Sequence, residues 1–288
     1  MRIALPNKGR LSERAVDLFE RAGLRAEFAS DRALQAQLGE DFQAIFVRAA
    51  DIPEFVADGA AEVGVTGADL VAESGREHEV RELLDLGFGR CRLSIAVPET
   101  SPVRHPADIP DGTRVATSFP RLTGTFFREL GVNIQIAPVS GAAEIAPHLG
   151  VADVIVDLVS TGSTLRMNNL REVTTIMMSS ARTVVNARAY EDDATRQAVD
   201  ELVLALESVL RAARKRYLMA NVPRERLDEV RQIIPGLSGP TIVEVLDGDA
   251  WVAAHAVVDQ ERIYQTIARL KAVGAEGILV TRIERLMP

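Results

Sequence analysis

The 288-residue chain has one cysteine, Cys91, and four scattered histidines, His78, His105, His148 and His255. A lone thiol closes no disulfide within the chain, and with so few imidazoles it builds no zinc finger or ribbon. No apolar run approaches the roughly 18 residues of a membrane-crossing helix. Residues 1–8 hold no signal-peptide core, so no membrane partner and a cytoplasmic location are expected. Three signatures are also missing: Gly-x-x-x-x-Gly-Lys-Ser/Thr, Gly-x-Gly-x-x-Gly after a strand, and Gly-x-Ser-x-Gly. Their absence removes the P-loop, the dinucleotide turn and the nucleophile elbow.

Basic residues are the scarcer charge, 33 Lys and Arg against 41 Asp and Glu, for a net charge of −8. Such a chain repels a polyanion at long range, so no nucleic-acid partner is expected. A small anionic ligand remains compatible, because local amides and basic side chains decide its binding. From Arg211 onward 12 basic and 10 acidic residues occur, so the acidic excess belongs to residues 1–210. That shift places an expected boundary near 211. The length suits two or three compact units, and 47% hydrophobic with 26% charged residues is the balance of a folded globular protein.

Periodicity gives a strand at 1–5 and a helix from Ser12 stopped by Gly23. Strands follow at 44–48 and 62–65, with a helix start at Asp51-Ile52-Pro53 between them. A strand at 93–97 leads into a loop rich in proline and acid, 98–111, the expected crossover between two lobes. A second alternation follows: strand 113–117, helix 123–130, strand 134–138, helix 142–149 and strand 153–156. Strand and helix in turn imply mostly parallel α/β sheets. A long helix at 194–217 carries the basic cluster 211–216 on a solvated face. Beyond it come strand 217–222, helix 224–234, strands 241–246 and 251–258 around the turn Asp247-Gly248-Asp249, helix 261–273 and strand 277–284. This βαββαβ order is that of a ferredoxin-like domain.

One segment stands out for chemistry: Asp153-Val154-Ile155-Val156-Asp157-Leu158-Val159-Ser160-Thr161-Gly162-Ser163-Thr164-Leu165. An apolar strand delivers Asp157 at its carboxyl end, where open α/β sheets bind ligands. It then turns through hydroxylated residues, with Gly162 allowing close backbone approach, into a helical run. Amides at such a start, with the hydroxyls of Ser160, Thr161, Ser163 and Thr164, form an anion cradle. From pattern alone, a plain helix cap beside a solvated carboxylate serves as well.

The longer frame Glu144, Gly150, Ala152, Ile155, Asp157, Leu158, Thr161-Gly162-x-Thr164-Leu165 resembles the 5-phosphoribosyl-diphosphate (PRPP) loop of the ATP phosphoribosyltransferases of histidine biosynthesis. The blocks Leu5-Pro6-Asn7-Lys8-Gly9-Arg10-Leu11, Arg48-x-x-Asp51-Ile52-Pro53, Thr66-Gly67-x-Asp69-Leu70, Leu86-Gly87-Phe88-Gly89-x-Cys91-Arg92-Leu93 and Thr117-x-Phe119-Pro120 are similar to that family's across nearly the whole chain. The resemblance implies the long form: a two-lobed catalytic core like periplasmic binding proteins, plus a C-terminal ferredoxin-like regulatory domain that binds histidine. The expected division is lobe I at 1–97 with 180–210 returning to it, lobe II at 98–179, and the regulatory domain at 211–288.

The resemblance further implies attack of adenine N1 of ATP on C1 of PRPP with release of pyrophosphate, feedback inhibition by histidine, and a homo-oligomer rising from dimer to hexamer. It assigns the PRPP 5-phosphate to Ser160, Thr161, Gly162, Ser163 and Thr164 and the ribose hydroxyls to Asp157, with Asp153 beside it. Asp157 and Thr161 carry the catalytic role. Mg²⁺ is expected mainly on pyrophosphate oxygens, with no protein ligand assigned. Lys8, Arg10, Arg48, Asp69 and Arg121 are candidates for ATP or pyrophosphate. Surface roles remain open for Lys8, Arg10 and Arg121, and solvation for Asp153. Asn221, Leu237 and Thr241 are the candidate histidine contacts, although the loop 235–241 also reads as a plain connection. The rival readings are a non-catalytic two-lobed solute binder, a nicotinate-type phosphoribosyltransferase and an inactive regulatory paralogue.

Overall fold

A computed structural model describes residues 1–28, 33–245 and 250–287. Lobe I opens with β1 (Arg2–Pro6), α1 (Ser12–Arg21), β2 (Ala26–Phe28), β3 (Gln35–Leu38) and β4 (Phe42–Val47). It continues through α2 (Ile52–Ala57), β5 (Val63–Gly67), α3 (Ala68–Ser74) and β6 (Val80–Asp85). Lobe II comprises β7 (Cys91–Pro98), β8 (Thr113–Thr117), α4 (Pro120–Glu129), β9 (Ile134–Pro138), β10 (Val154–Val159), α5 (Ser163–Met167) and β11 (Leu170–Ser179). The chain returns through β12 (Ala181–Asn186) into α6 (Asp193–Ala213). It ends in β13 (Lys215–Pro223), α7 (Leu227–Ile233), β14 (Thr241–Glu244), β15 (Trp251–Asp259), α8 (Ile263–Ala272) and β16 (Glu276–Arg282). No helix among the described residues is long and apolar enough to cross a membrane.

Lobe I is a seven-stranded sheet ordered β2-β3-β4-β1-β5-β12-β6, and lobe II a five-stranded one ordered β11-β7-β10-β8-β9. Parallel pairing is confined to β4-β1-β5 and to β10-β8-β9. β12 runs antiparallel to β5 and β6, and β7 antiparallel to β10 and β11. The sheets are therefore mixed rather than mostly parallel: β2-β3-β4 form antiparallel hairpins at one edge of lobe I, β12 runs against both its neighbours there, and β7 does so in lobe II. Apolar clusters cover both faces of the lobe II sheet. Leu93, Ile95, Val115, Val154 and Val156 pack with Phe119 and Phe127 in one, and Ala96, Ala116, Ile155 and Val159 with Leu165 and Leu170 in the other. Burial on both sides accounts for its near-continuous hydrophobic strands.

Several boundaries differ from the sequence reading. β7 belongs to the lobe II sheet, so the chain crosses between lobes at 86–90 rather than at 97–98. The proline-rich loop 98–111 lies inside lobe II, between β7 and β8. The expected helix 142–149 is a single 3-10 turn at Ala143–Ile145. Ala142 is left-handed there (φ 52°), and Pro147 cannot donate the amide that a longer helix requires. The long helix stops at Ala213, so the basic cluster 211–216 divides between a helix end and the first residues of β13.

The chain separates into two compact units, with the C-terminal one starting within α6 at residue 204 rather than at 211. That unit's sheet order, β14-β15-β13-β16, is the ferredoxin-like one. Leu218, Ala220, Val222, Val252, Ala254 and Ala256 alternate towards α7 and α8, which supply Val230, Ile234 and Leu270. The expected strand end at 246 and the turn Asp247-Gly248-Asp249 lie outside the described residues.

Candidate active site

Parallel strands carry their carboxyl ends to one edge of a sheet. In lobe I the ends of β4, β1 and β5 therefore bring together Arg48, the loop Asn7-Lys8-Gly9-Arg10, and Asp69 in the first turn of α3. Two bonds tie this edge: Asn7 N donates to the Val47 carbonyl at 2.8 Å, and Thr66 Oγ1 to the Ala49 carbonyl at 2.7 Å. In lobe II the end of β10 delivers Asp157 and the bend 160–162.

The bend is rich in hydroxyls and open to solvent. Ser160, Thr161, Ser163 and Thr164 are exposed, whereas Gly162 is buried beneath them. Gly162 is left-handed (φ 75°), and a Cβ there would lie 3.3 Å from Arg166 Nη1 and 3.5 Å from Glu172 Oε1. Thr161 Oγ1 and Ser163 Oγ share a hydrogen bond at 2.9 Å. Arg92 braces the bend from β7, donating through Nη1 to the Ser160 carbonyl at 3.1 Å and through Nε to Glu172 Oε2 at 2.7 Å. Hydrogen bonding from Arg92 holds the Glu172 carboxyl below the usual carboxylate range. The helix that follows, α5, has only five residues, so local amides and hydroxyls, rather than a long helix dipole, supply the attraction for an anion.

Asp157 is half-buried, and desolvation pushes its pKa up to about 6 against the opposing hydrogen bond from the Leu158 amide; the nearby Glu144 charge adds to the rise. A carboxylate displaced by desolvation beside such a bend is a candidate functional group. Asp153 is not brought to it. It stands at the opposite end of β10, about 13 Å away at 3.3 Å per residue, and accepts a hydrogen bond from the Arg114 amide at 3.3 Å.

Arg10, Arg14, Gly87, Phe88, Gly89, Arg90 and Ser160 line a cleft of about 360 Å³. Three guanidinium groups thus meet the first residue of the bend. Arg10 is fixed by Nη1 to the Gly89 carbonyl at 3.0 Å and by Nη2 to Asp69 Oδ2 at 3.4 Å. Asp69 is wholly buried and also accepts the Ser179 hydroxyl, so it holds Arg10 rather than facing a ligand. Burial pushes the neighbouring Cys91 thiol up and leaves it inert. Lys8 and Arg48 are exposed at the same edge. Arg121 is not at the cleft: its guanidinium packs over Gly75, and Nη2 lies 4.0 Å from Glu77 Oε2. Sequence reasoning missed Arg14, Arg90 and the bracing pair Arg92–Glu172, which come together only through the tertiary fold.

In the C-terminal unit, Asn221 on β13 and Thr241 on β14 lie on the sheet face turned away from the helices. Between them His255 pairs with both Met219 and Thr241. Tyr217 Oη lies 3.0 Å from His255 Nδ1 on that face. Leu237 is exposed in the connecting loop, where Gly239 N donates to the Pro235 carbonyl at 2.9 Å.

A family model described as ATP phosphoribosyltransferase matches residues 48–208, and one described as the C-terminal domain of the same family matches residues 212–285. An ATP phosphoribosyltransferase from Gemmatimonas aurantiaca is 59% identical over 100% of both chains. One from Methanocaldococcus jannaschii is 45% identical over 99% of each. Among solved structures, an ATP phosphoribosyl transferase (HisG:HisZ) complex from Thermotoga maritima gives a TM-score of 0.64 at 30% identity, covering 73% of this chain and 98% of that one. The substrate-binding protein of an amino-acid ABC transporter gives 0.50 at 10% identity, covering 74% and 94%, a likeness of fold alone.

Proposed function

Because this chain belongs to the ATP phosphoribosyltransferase family, in its long form with the C-terminal domain, we propose how its residues divide the family's reaction. That reaction transfers the phosphoribosyl group of PRPP to ATP as the first step of histidine biosynthesis. The observation that carries the assignment is the exposed hydroxyl-rich bend 160–164 at the end of a buried strand, next to a carboxylate raised to about 6 and a cleft of three arginines.

The amides and hydroxyls of 161–164 receive the 5-phosphate, and Asp157 accepts hydrogen bonds from the ribose hydroxyls. Arg10, Arg14 and Arg90, with Lys8 and Arg48 at the same edge, meet triphosphate or pyrophosphate oxygens. The adenine N1 lone pair forms the new bond to ribose C1, and the C1–O bond breaks with its electron pair leaving on pyrophosphate. Positive charge develops on the ribose and negative charge on the leaving group, so fixed donors around the diphosphate lower the barrier. Holding both substrates in line supplies the remainder. No covalent nucleophile is required.

Mg²⁺, when bound, neutralises diphosphate charge. No cluster of three or more His, Cys, Asp or Glu suited to a metal occurs among the described residues. Glu172 beside the bend is taken up by Arg92, so Asp157, with Glu144 near it, is the carboxylate that would suit a hard cation keeping most of its waters and phosphate oxygens.

Histidine is read as the feedback inhibitor, held on the outer sheet face of the C-terminal unit by Asn221, Thr241 and the Leu237 loop. By linkage, its binding and that of the substrates oppose each other. The working form is read as a cytoplasmic homo-oligomer. The test is to mix the protein with ATP, PRPP and Mg²⁺ and follow the adenine ultraviolet spectrum for the ring-substituted product. Wild-type rates in both Asp157→Asn and Thr161→Ala would remove the bend from the mechanism.

A further inference from the structure

Helix α3 belongs to lobe I by its strand, yet three of its residues reach lobe II. Asp69 accepts the hydroxyl of Ser179 at the end of β11, and its own amide donates to the same oxygen at 3.0 Å. Leu70 packs against the lobe II cluster that contains Phe119 and Phe127. Glu73, one turn beyond Asp69, places its two carboxylate oxygens on consecutive amides of α4, Oε1 on Arg121 N at 2.8 Å and Oε2 on Leu122 N at 2.9 Å.

Those amides lack intrahelical acceptors because they lie in the first turn of α4, after Pro120 at its start. A carboxylate there gains two charge-assisted hydrogen bonds and the favourable end of the helix dipole. The contact is also built sterically. Gly75 is left-handed (φ 71°), and a Cβ on it would come within 2.5 Å of the Arg121 guanidinium, so the end of α3 and the start of α4 are shaped to each other.

The two partners of this contact lead directly to the two halves of the reaction. α4 follows β8, which lies beside β10 with Val156 opposite Thr117, so its first turn moves with the bend. α3 carries in its first turn Asp69, which fixes Arg10. We propose that Glu73 is a positioning residue: by clasping the first turn of α4 it sets the separation between the donor-binding bend and the arginine cleft. This rests on the reading of the cleft given above. Arg121 then serves the joint between lobes rather than a substrate phosphate.

The test uses the full-length protein with spin labels at Glu13→Cys in lobe I and Glu129→Cys in lobe II, both exposed. Glu73→Ala and Glu73→Gln are compared with Glu99→Gln, an exposed carboxylate away from the α3–α4 contact, as a control. The expected result is a broader, longer interlobe distance distribution in ligand-free Glu73→Ala, narrowed again by PRPP and ATP together. Its kcat/KM should fall about 10- to 100-fold, as misplacement of reacting groups produces. Glu73→Gln, with one accepting oxygen, should fall between the two, and Glu99→Gln should match the parent in both readouts. Parental distances in Glu73→Ala overturn the proposal, whether or not activity falls. If Glu73→Ala fails to fold, Glu73→Gln alone decides, and a parental distribution in it overturns the proposal. Substitutions at Asp157 and Thr161 that leave activity intact defeat the site reading instead, since they do not touch the distance measurement.

Discussion

The guanidinium of Arg10 lies 3.4 Å from the carboxylate of Asp69, which has no exposed surface, and 3.0 Å from the carbonyl of Gly89. One arm is thus tied to lobe I and the other to the segment that crosses to lobe II. Arg10 is about one-third exposed, so the pair has one solvated member and one dry one.

Replacing Asp69 by Ala should free Arg10 and leave the Ser179 hydroxyl without its acceptor. Because the arginine left behind is one-third exposed and can be solvated, the cost in stability should fall below the roughly 3 kcal/mol of a fully buried pair. The KM for ATP should rise more than the KM for PRPP. Steady-state kinetics together with denaturant unfolding checks both, and an unchanged ATP KM would separate Asp69 from the cleft.

Asp157→Asn should lose activity while gaining stability at neutral pH. The native carboxyl, at about 6, binds its proton more tightly than the unfolded chain with its ordinary 3.8. Its contribution to stability is therefore fully present below about pH 4 and is lost as pH rises through 6. At pH 7 the neutral amide should be more stable by up to about 3 kcal/mol, with the difference vanishing near pH 4. Unfolding midpoints of both proteins across pH 4–8 measure this. If Asp157 must be ionised to hold the ribose, kcat/KM for PRPP in the wild type falls as pH drops below 6.

Arg14→Ala and Arg90→Ala should each raise the KM for the polyphosphate substrates by about tenfold, as loss of a hydrogen bond to a charged group implies. The fold should be preserved, since both side chains are exposed. Salt should weaken wild-type binding more steeply than that of the double variant. Kinetics at low and high ionic strength would show otherwise if these residues were ordinary surface cations.

Gly162→Ala puts a side chain into a left-handed position, costing roughly 1–2 kcal/mol, and pushes against Arg166 and Glu172. The PRPP KM should rise with little change in circular dichroism. A variant that binds PRPP normally would mean that the shape of the bend is immaterial.

Thr241→Ala and Asn221→Ala should weaken histidine inhibition and leave the uninhibited rate alone. Rates across a histidine titration check this; an uninhibitable wild type would refute the feedback reading itself.

The bend at 160–164 was legible because strand, carboxylate and hydroxyls lie in one continuous stretch whose chemistry is local. The same extended geometry defeated Asp153: in a strand, four residues carry two carboxylates to opposite ends. β11 escaped detection because two register shifts, at 172–174 and 175–177, break the alternation that marks a strand. The helix expected at 142–149 ignored Pro147. Arg14 and Arg90 come from distant segments, and only the tertiary fold sets them beside Ser160. Asp69 was expected among the ATP or pyrophosphate contacts, and no pattern in the sequence reveals that its carboxylate points inward at an arginine.

The two passages of the chain between the lobes are joined to each other: Leu86 N donates to the Ala181 carbonyl and Ala181 N to the Phe88 carbonyl, each at 2.9 Å. Two strips held edge to edge are stiff in their own plane and pliant across it, like a strap. Such a connection resists twisting and sliding, so a gap between the halves has one way to widen. On the site reading proposed above, two substrates held across that gap would meet in a single alignment.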